Sequence, residues 1–123
     1  MDKVYRVWLL TEMRRKRIAA FVAVTKRDGV AGSLLVWVRD IEPDPVDGQR
    51  KAPFLSAMFV EPDQRRKGIG SALVLAAVRW CRSRRYPYVT GIPVNHARRL
   101  LPKLGFEPLL SEMGLLLDGK AQR

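Results

Sequence analysis

Six consecutive residues concentrate the chemistry this chain can offer: Arg65, Arg66, Lys67, Gly68, Ile69 and Gly70, inside the stretch EPDQRRKGIGSALV at 61–74. Three cations run straight into two glycines, and an apolar run of helical spacing begins at once. The first N–H groups of a helix lack intrahelical partners and together carry about half a positive charge. Glycine removes the Cβ, so an anion can approach those N–H groups closely. The guest that suits such a turn is a phosphate or pyrophosphate. A purely structural role for a basic, Gly-rich helix start also fits these residues.

Two familiar phosphate loops are excluded by spacing. A Walker loop ends in Lys followed by Ser or Thr, whereas Gly68 follows Lys67 here. A Rossmann turn needs a third glycine, and position 73 is Leu. Other reactive side chains are sparse. There is one histidine, His96, and one cysteine, Cys81. Cys81 adjoins Trp80 within the apolar run and is read as core. A single cysteine excludes an internal disulfide and fits the reducing cytoplasm. No metal is expected.

The elements that must position the turn follow from patterning. VYRVWLL (4–10) is β-branched and aromatic, which predicts a strand; TEMRRKR (11–17) predicts a charged turn or short helix. Two apolar runs, 18–25 and 30–38, flank a turn with Asp28-Gly29 at its tip, a hairpin signal. Residues 39–53 hold three prolines and a glycine and predict a loop. FLSAMFV (54–60) predicts a buried strand. From 68 to 82, Ile69, Leu73, Val74, Ala77, Trp80 and Cys81 share one helical face. A strand is expected over 86–94. A helix opened by Asn95 is expected over 95–106, with Pro102 ending or distorting it. A closing hairpin is expected around Ser111-Glu112, its strand edges available to a second subunit. A strand–helix–strand unit beside antiparallel hairpins makes the chain α+β with a mixed sheet. Its length of 123 residues suits one domain, 1–123.

Charge is the outlier of composition. Lys and Arg number 23 against 12 Asp and Glu, a formal charge of +11, which favours polyanionic partners. No run of about 18 apolar residues is present, so no membrane-spanning helix is expected, and the N-terminus lacks a signal-peptide pattern.

With these residues in view, the chain resembles the GNAT superfamily of acyl-CoA-dependent N-acetyltransferases. Residues 65–70 match that family's Gln/Arg-x-x-Gly-x-Gly/Ala signature, and NHARRLLPKLGF (95–106) is similar to its second motif, an Asn-opened helix ending in Lys-Leu-Gly-Phe. The resemblance spans about residues 17–117. It implies acetyl-CoA as cosubstrate, with backbone amides from Arg65 through Arg66, Lys67, Gly68, Ile69 and Gly70 to Ser71 holding the pyrophosphate. It implies charge from Arg65 and Lys67, pairing of the pantetheine arm with the strand edge at Phe59 and Val60, and a contact from Asn95. It also implies a gap between strands 54–60 and 86–94 that admits the thioester. The fold implied is a mixed, mostly antiparallel sheet with flanking helices, here without the usual two N-terminal helices.

Two departures bear on catalysis. Many members carry a Tyr four residues before the Gly-Phe pair as acid; here that position is Leu101. Many carry a Glu within the strand before the loop as base; FLSAMFV has none. Candidate substitutes are Glu61 and Ser56, with His96, Tyr86 and Tyr88 further from the pattern. The short N-terminal region implies an open acceptor groove, suited to an amine on a protein or nucleic acid, with Arg14-Arg15-Lys16-Arg17 near its entrance. A CoA-binding module without activity and a basic nucleic-acid-binding protein are the alternatives.

Overall fold

The computed structural model describes residues 3–27, 29–43, 45–46, 48–95, 97–109, 113 and 115–117. Helix α1 (Lys3–Arg14) leads into strands β1 (Ile18–Thr25), β2 (Gly29–Asp40) and β3 (Lys51–Val60). A short 3-10 turn (Pro62–Gln64), helix α2 (Ile69–Ser83), strand β4 (Thr90–Gly91) and helix α3 (Ala97–Lys103) follow. The sheet order is β1-β2-β3-β4, antiparallel up to β3, with β4 parallel to β3. This is the mixed α+β sheet expected, its parallel pair joined across α2.

The first element corrects the reading of residues 4–10 as a strand. They form α1, because Tyr5, Trp8, Leu9 and Glu12 recur at helical spacing and supply its inward face. Trp8 meets Trp37 of β2 edge-on at 5.0 Å between ring centroids. Glu12, only 7% exposed, accepts a 3.2 Å hydrogen bond from Trp37 Nε1. Tertiary packing of aromatic rings here overrides β-propensity, a weak local preference. The helix ends on Lys16 in left-handed backbone (φ 59°), with the Arg17 N–H bonded back to the Glu12 carbonyl at 2.9 Å. One helix thus stands ahead of the hairpin.

The other boundaries shift for identifiable reasons. The loop expected at 39–53 narrows to 41–50, since Arg39 pairs with Ala52 and Asp40 with Lys51. Arg17 bonds the Asp40 carboxylate at 2.6 Å and holds its pKa below the usual carboxylate range. Pro53 is tolerated because β3 has only β2 beside it at that point, as an edge strand does. The strand expected over 86–94 contracts to two paired residues, Thr90 and Gly91. Pro87 and Pro93 flank it and cannot donate to a ladder. The hairpin turn expected at Ser111-Glu112 lies outside the described residues.

The core lies between the sheet and α2. Leu34, Val36, Val38, Leu55 and Val60 face Leu73, Val74, Ala77 and Cys81, with Leu101 closing the cluster from α3. Fully burying side chains of this size contributes about 1.5–3 kcal/mol each. The α2 residues are those its spacing placed on one face. Gly32 lets α2 come this close: a Cβ there would stand 2.8 Å from the Phe59 carbonyl oxygen and 3.2 Å from Ile69. We expect Gly32→Ala to lower stability by about 1–3 kcal/mol through overpacking. Urea unfolding would check this, with a smaller effect for Ala at Gly91, where a Cβ would meet its neighbours no closer than 3.4 Å and the backbone is not left-handed.

Candidate active site

The site begins with two backbone events in β3. The ladder to β4 covers only Phe54 with Thr90 and Leu55 with Gly91. Two residues on, the register with β2 slips between Ser33 and Leu35. Ala57 absorbs the slip with a left-handed backbone (φ 53°), a bulge that bends the strand. From Ser56 onward β3 therefore has β2 on one side and no described strand on the other. The backbone groups on that free side are available to a partner.

A cavity of about 760 Å³ occupies the divergence. Its lining comes from both faces of the sheet. Leu34, Leu55, Val74 and Leu101 belong to the α2 side; Phe54 and Ser56, which alternate with Leu55, belong to the α1 side. The cavity thus passes through the gap between β3 and β4. Arg65 and Asn95 stand on its wall together with Phe59, Ile92 and Val94.

The turn from β3 into α2 is shaped by two left-handed residues, Arg66 (φ 65°) and Gly68 (φ 79°). The side chain of Arg65 folds back so that its Nε donates to the Val60 carbonyl at 3.1 Å. Lys67 Nζ bonds Gln64 Oε1 at 3.4 Å. Gly68 precedes the first turn of α2, which has no side-chain cap and no acidic residue. Its leading N–H groups are thus left for an external acceptor, directly after three consecutive cations.

The expected site residues separate into groups. Ser56, Phe59, Arg65 and Asn95 line the cavity. Val60 is buried beneath the turn. Arg66, Lys67 and Gly68 are exposed, while Ile69, Gly70 and Ser71 form the half-buried first turn of α2. Glu61 is exposed and lies outside the lining; its N–H is fixed to the Ala31 carbonyl at 2.8 Å. His96 lies outside the described residues. Tyr86 packs near Trp80, 6.3 Å between ring centroids, and neither it nor Tyr88 lines the cavity. Leu101 does line it, 4% exposed, so an apolar side chain stands where the resemblance led to the expectation of a Tyr. Cys81 is buried in the core, and burial pushes its thiol up to about 11, which leaves it inert as a nucleophile. Ala57, Phe54 and Ile92 were not anticipated. A bulge on Ala carries no residue signature, because left-handed turns are ordinarily marked by Gly or Asn.

A family model for the acetyltransferase (GNAT) family matches residues 2–106. A search of curated proteins finds no match to the chain. Solved structures with the same fold include a GCN5-related N-acetyltransferase from Ralstonia eutropha, with TM-score 0.83 and 22% identity over 97% of this chain and 77% of that one. A predicted acetyltransferase from Clostridium acetobutylicum, solved with acetyl-CoA, has TM-score 0.85 and 16% identity over 98% and 78%. A ribosomal-protein-alanine N-acetyltransferase from Brucella melitensis has TM-score 0.67 and 18% identity over 90% and 79%. At these identities the likeness is one of fold.

The bulge makes a prediction of its own. Ala57→Gly should preserve the site and raise stability by about 1 kcal/mol, because left-handed backbone costs a side-chain-bearing residue about that much. Ala57→Val should lower stability and acyl-CoA affinity together. Thermal melts with and without acetyl-CoA separate the two effects.

Proposed function

We propose that this chain, which belongs to the acetyltransferase (GNAT) family, transfers an acetyl group from acetyl-CoA directly to an amine on a macromolecular acceptor, by preference a protein. The observation that carries this reading is the through-sheet cavity. Arg65 and Asn95 wall the same space as Phe54 and Ser56, so donor and acceptor can enter from opposite faces and meet between β3 and β4. Val22, Val24 and Val30 are exposed on the sheet face opposite α2, which suits a large acceptor. We place the enzyme in the cytoplasm, in keeping with its lone reduced thiol.

The positions support a task for each residue. Amides from Arg65 to Ser71 hold the pyrophosphate, with Arg66 and Lys67 supplying exposed charge and Gly68 the turn that aims the amides. Ile69 and Gly70 seat that turn against the core. The free edge of β3 at Phe59, with Val60 beneath it, pairs with the amide-bearing arm as an added strand would. Asn95 bonds the arm from the other wall. N–H groups at the Ala57 bulge polarise the thioester carbonyl as the amine attacks.

Proton handling is sparse. A lysine amine with pKa near 10.4 is neutral in about one molecule in 10³ at pH 7, whereas an α-amine near 8 is neutral roughly a hundred times more often. Surrounding cations shift an amine further toward its neutral form. Ser56 lines the cavity and orients the water that takes the proton; Glu61, five residues on and outside the lining, is the exposed carboxylate that would receive it through bulk solvent. Leu101 offers no proton to the leaving thiolate. With a thiol pKa near 8.5 the group departs unaided, forgoing the 10²–10⁴-fold that a general acid typically contributes. Leu101 also favours a second reading, a CoA-binding domain without turnover.

Thermal unfolding tests binding first. Acetyl-CoA at about 100 times its Kd should stabilise the protein by about 2.7 kcal/mol, a shift on the order of 10 °C. In an Arg65→Ala, Gly68→Ala variant the shift should vanish, whatever the variant's own Tm. A shift without any acetyl transfer would select the second reading. Where transfer occurs, its rate should rise with pH and level off near 8 for an N-terminal acceptor, but climb past 10 for a lysine.

A further inference from the structure

We propose that Arg39 binds a carboxylate on the acceptor, about 10 Å from the amine that is acetylated, so that the acceptor is an acidic peptide. The inference rests on the acyltransferase reading above and narrows its substrate class.

Arg39 lies on the acceptor side of the sheet. In β2, Val36 and Val38 point to α2, so Trp37 and Arg39 point to the face where α1 packs. Phe54 of β3 pairs with Trp37 and shares that face. The backbone of Arg39 is opposite Ala52, at the end of the sheet away from the bulge. Its side chain nevertheless runs back toward the cavity. The guanidinium carbon stands 4.3 Å from the centroid of Phe54 and 5.7 Å from that of Trp37. Phe54 is itself a cavity wall.

Two rings therefore fix a guanidinium at the rim of the acceptor opening. Stacking leaves the N–H fork free at its edges, the geometry that grips a carboxylate in two bonds. Among the described residues no carboxylate stands within ion-pair distance of Arg39. Asp40, its sequence neighbour, is sent to the other face by strand alternation and is held by Arg17 at 2.6 Å and Lys51 at 3.5 Å. Glu12 accepts from Trp37 Nε1 instead. Among the described residues, Arg39 is the cation stacked on a ring that also lines the cavity.

The spacing follows from the strand. Phe54 precedes the Ala57 bulge by three residues, about 10 Å at 3.3 Å per residue. An extended peptide with its amine at the bulge places the side chain of its third residue over Phe54. A nucleic-acid acceptor would ask for a row of cations tracking its phosphates. On the acceptor side, Phe54 and Ser56 line the opening, and the guanidinium over Phe54 is the cation set against that lining. A polycationic amine would be repelled by Arg39.

The test uses acetyl transfer to matched peptides with a free N-terminus and Glu or Gln as the third residue. We expect kcat/KM for the Glu peptide to exceed that for the Gln peptide roughly tenfold, expressed in KM, as one charge-assisted pair supplies. Arg39→Gln should bring the ratio to about one by raising KM for the Glu peptide alone. Arg39→Lys should restore part of it. The acetyl-CoA thermal shift should be the same in all three proteins. Equal rates in the wild type, a ratio that survives Arg39→Gln, or transfer to a polycationic amine or tRNA with both peptides refused would overturn the proposal. A missing acetyl-CoA shift in the wild type would overturn the acyltransferase reading itself.

Discussion

Almost everything the site does depends on how soon β3 and β4 stop pairing. Two residues of parallel ladder join them, Phe54 with Thr90 and Leu55 with Gly91. Pro87 and Pro93 bracket the short strand, and neither can donate a ladder hydrogen bond. Had pairing continued, β3 would be closed on both sides and the sheet would be impermeable. Because it stops, Ser56 to Val60 form a strand with one satisfied flank, and a cavity opens through the sheet. The Ala57 bulge turns the free flank outward at the point where the gap begins.

The same constraint explains why the stiffest packing is on one face only. Leu34, Val36 and Val38 lock against Leu73, Val74 and Ala77 with almost no exposure, and Gly32 lets the helix settle close to the strands. That packing holds the N-terminus of α2 at a set distance from the β3 edge. The loop between them is pinned at several points: the Glu61 N–H on Ala31, Arg65 Nε on Val60, and Lys67 on Gln64. A pinned loop with unsatisfied amides and no acidic residue in the first turn of α2 is pre-organised for an anion, since little conformational freedom remains to be lost on binding. The cations do not shape the loop. They set its potential.

Legibility in the sequence followed the range of the interactions. The α2 face and its glycine-marked entry were readable, because helical periodicity and turn chemistry are local. The β1–β2 hairpin was readable for the same reason. Residues 4–10 were not, since the partner that makes them helical is Trp37, nearly thirty positions away in the chain. The length of β4 was overestimated: YPYVTGIPV has strand composition, and only the count of its missing donors argues for a short ladder. The bulge was invisible because Ala57 is an ordinary residue forced left-handed by the registers on either side. Arg39 was one cation among many until the fold laid it over Phe54.

What the acceptor face lacks determines how this protein must select its partner. α1 covers one end through Trp8 and Trp37, while Val22, Val24 and Val30 stay exposed at the other. An open face contributes little by enclosing a substrate, and it excludes little water. Rate must then come from placing the amine and the thioester against each other, since Leu101 donates no proton and the one carboxylate by the strand, Glu61, stands outside the cavity. Placement on an open surface needs at least two anchors some distance apart, or the acceptor pivots about the first. On the reading proposed above, the bulge backbone supplies one. On the same reading, the guanidinium of Arg39 in β2, held by two rings about 10 Å along β3 from the bulge, supplies the second without closing the groove to a large molecule.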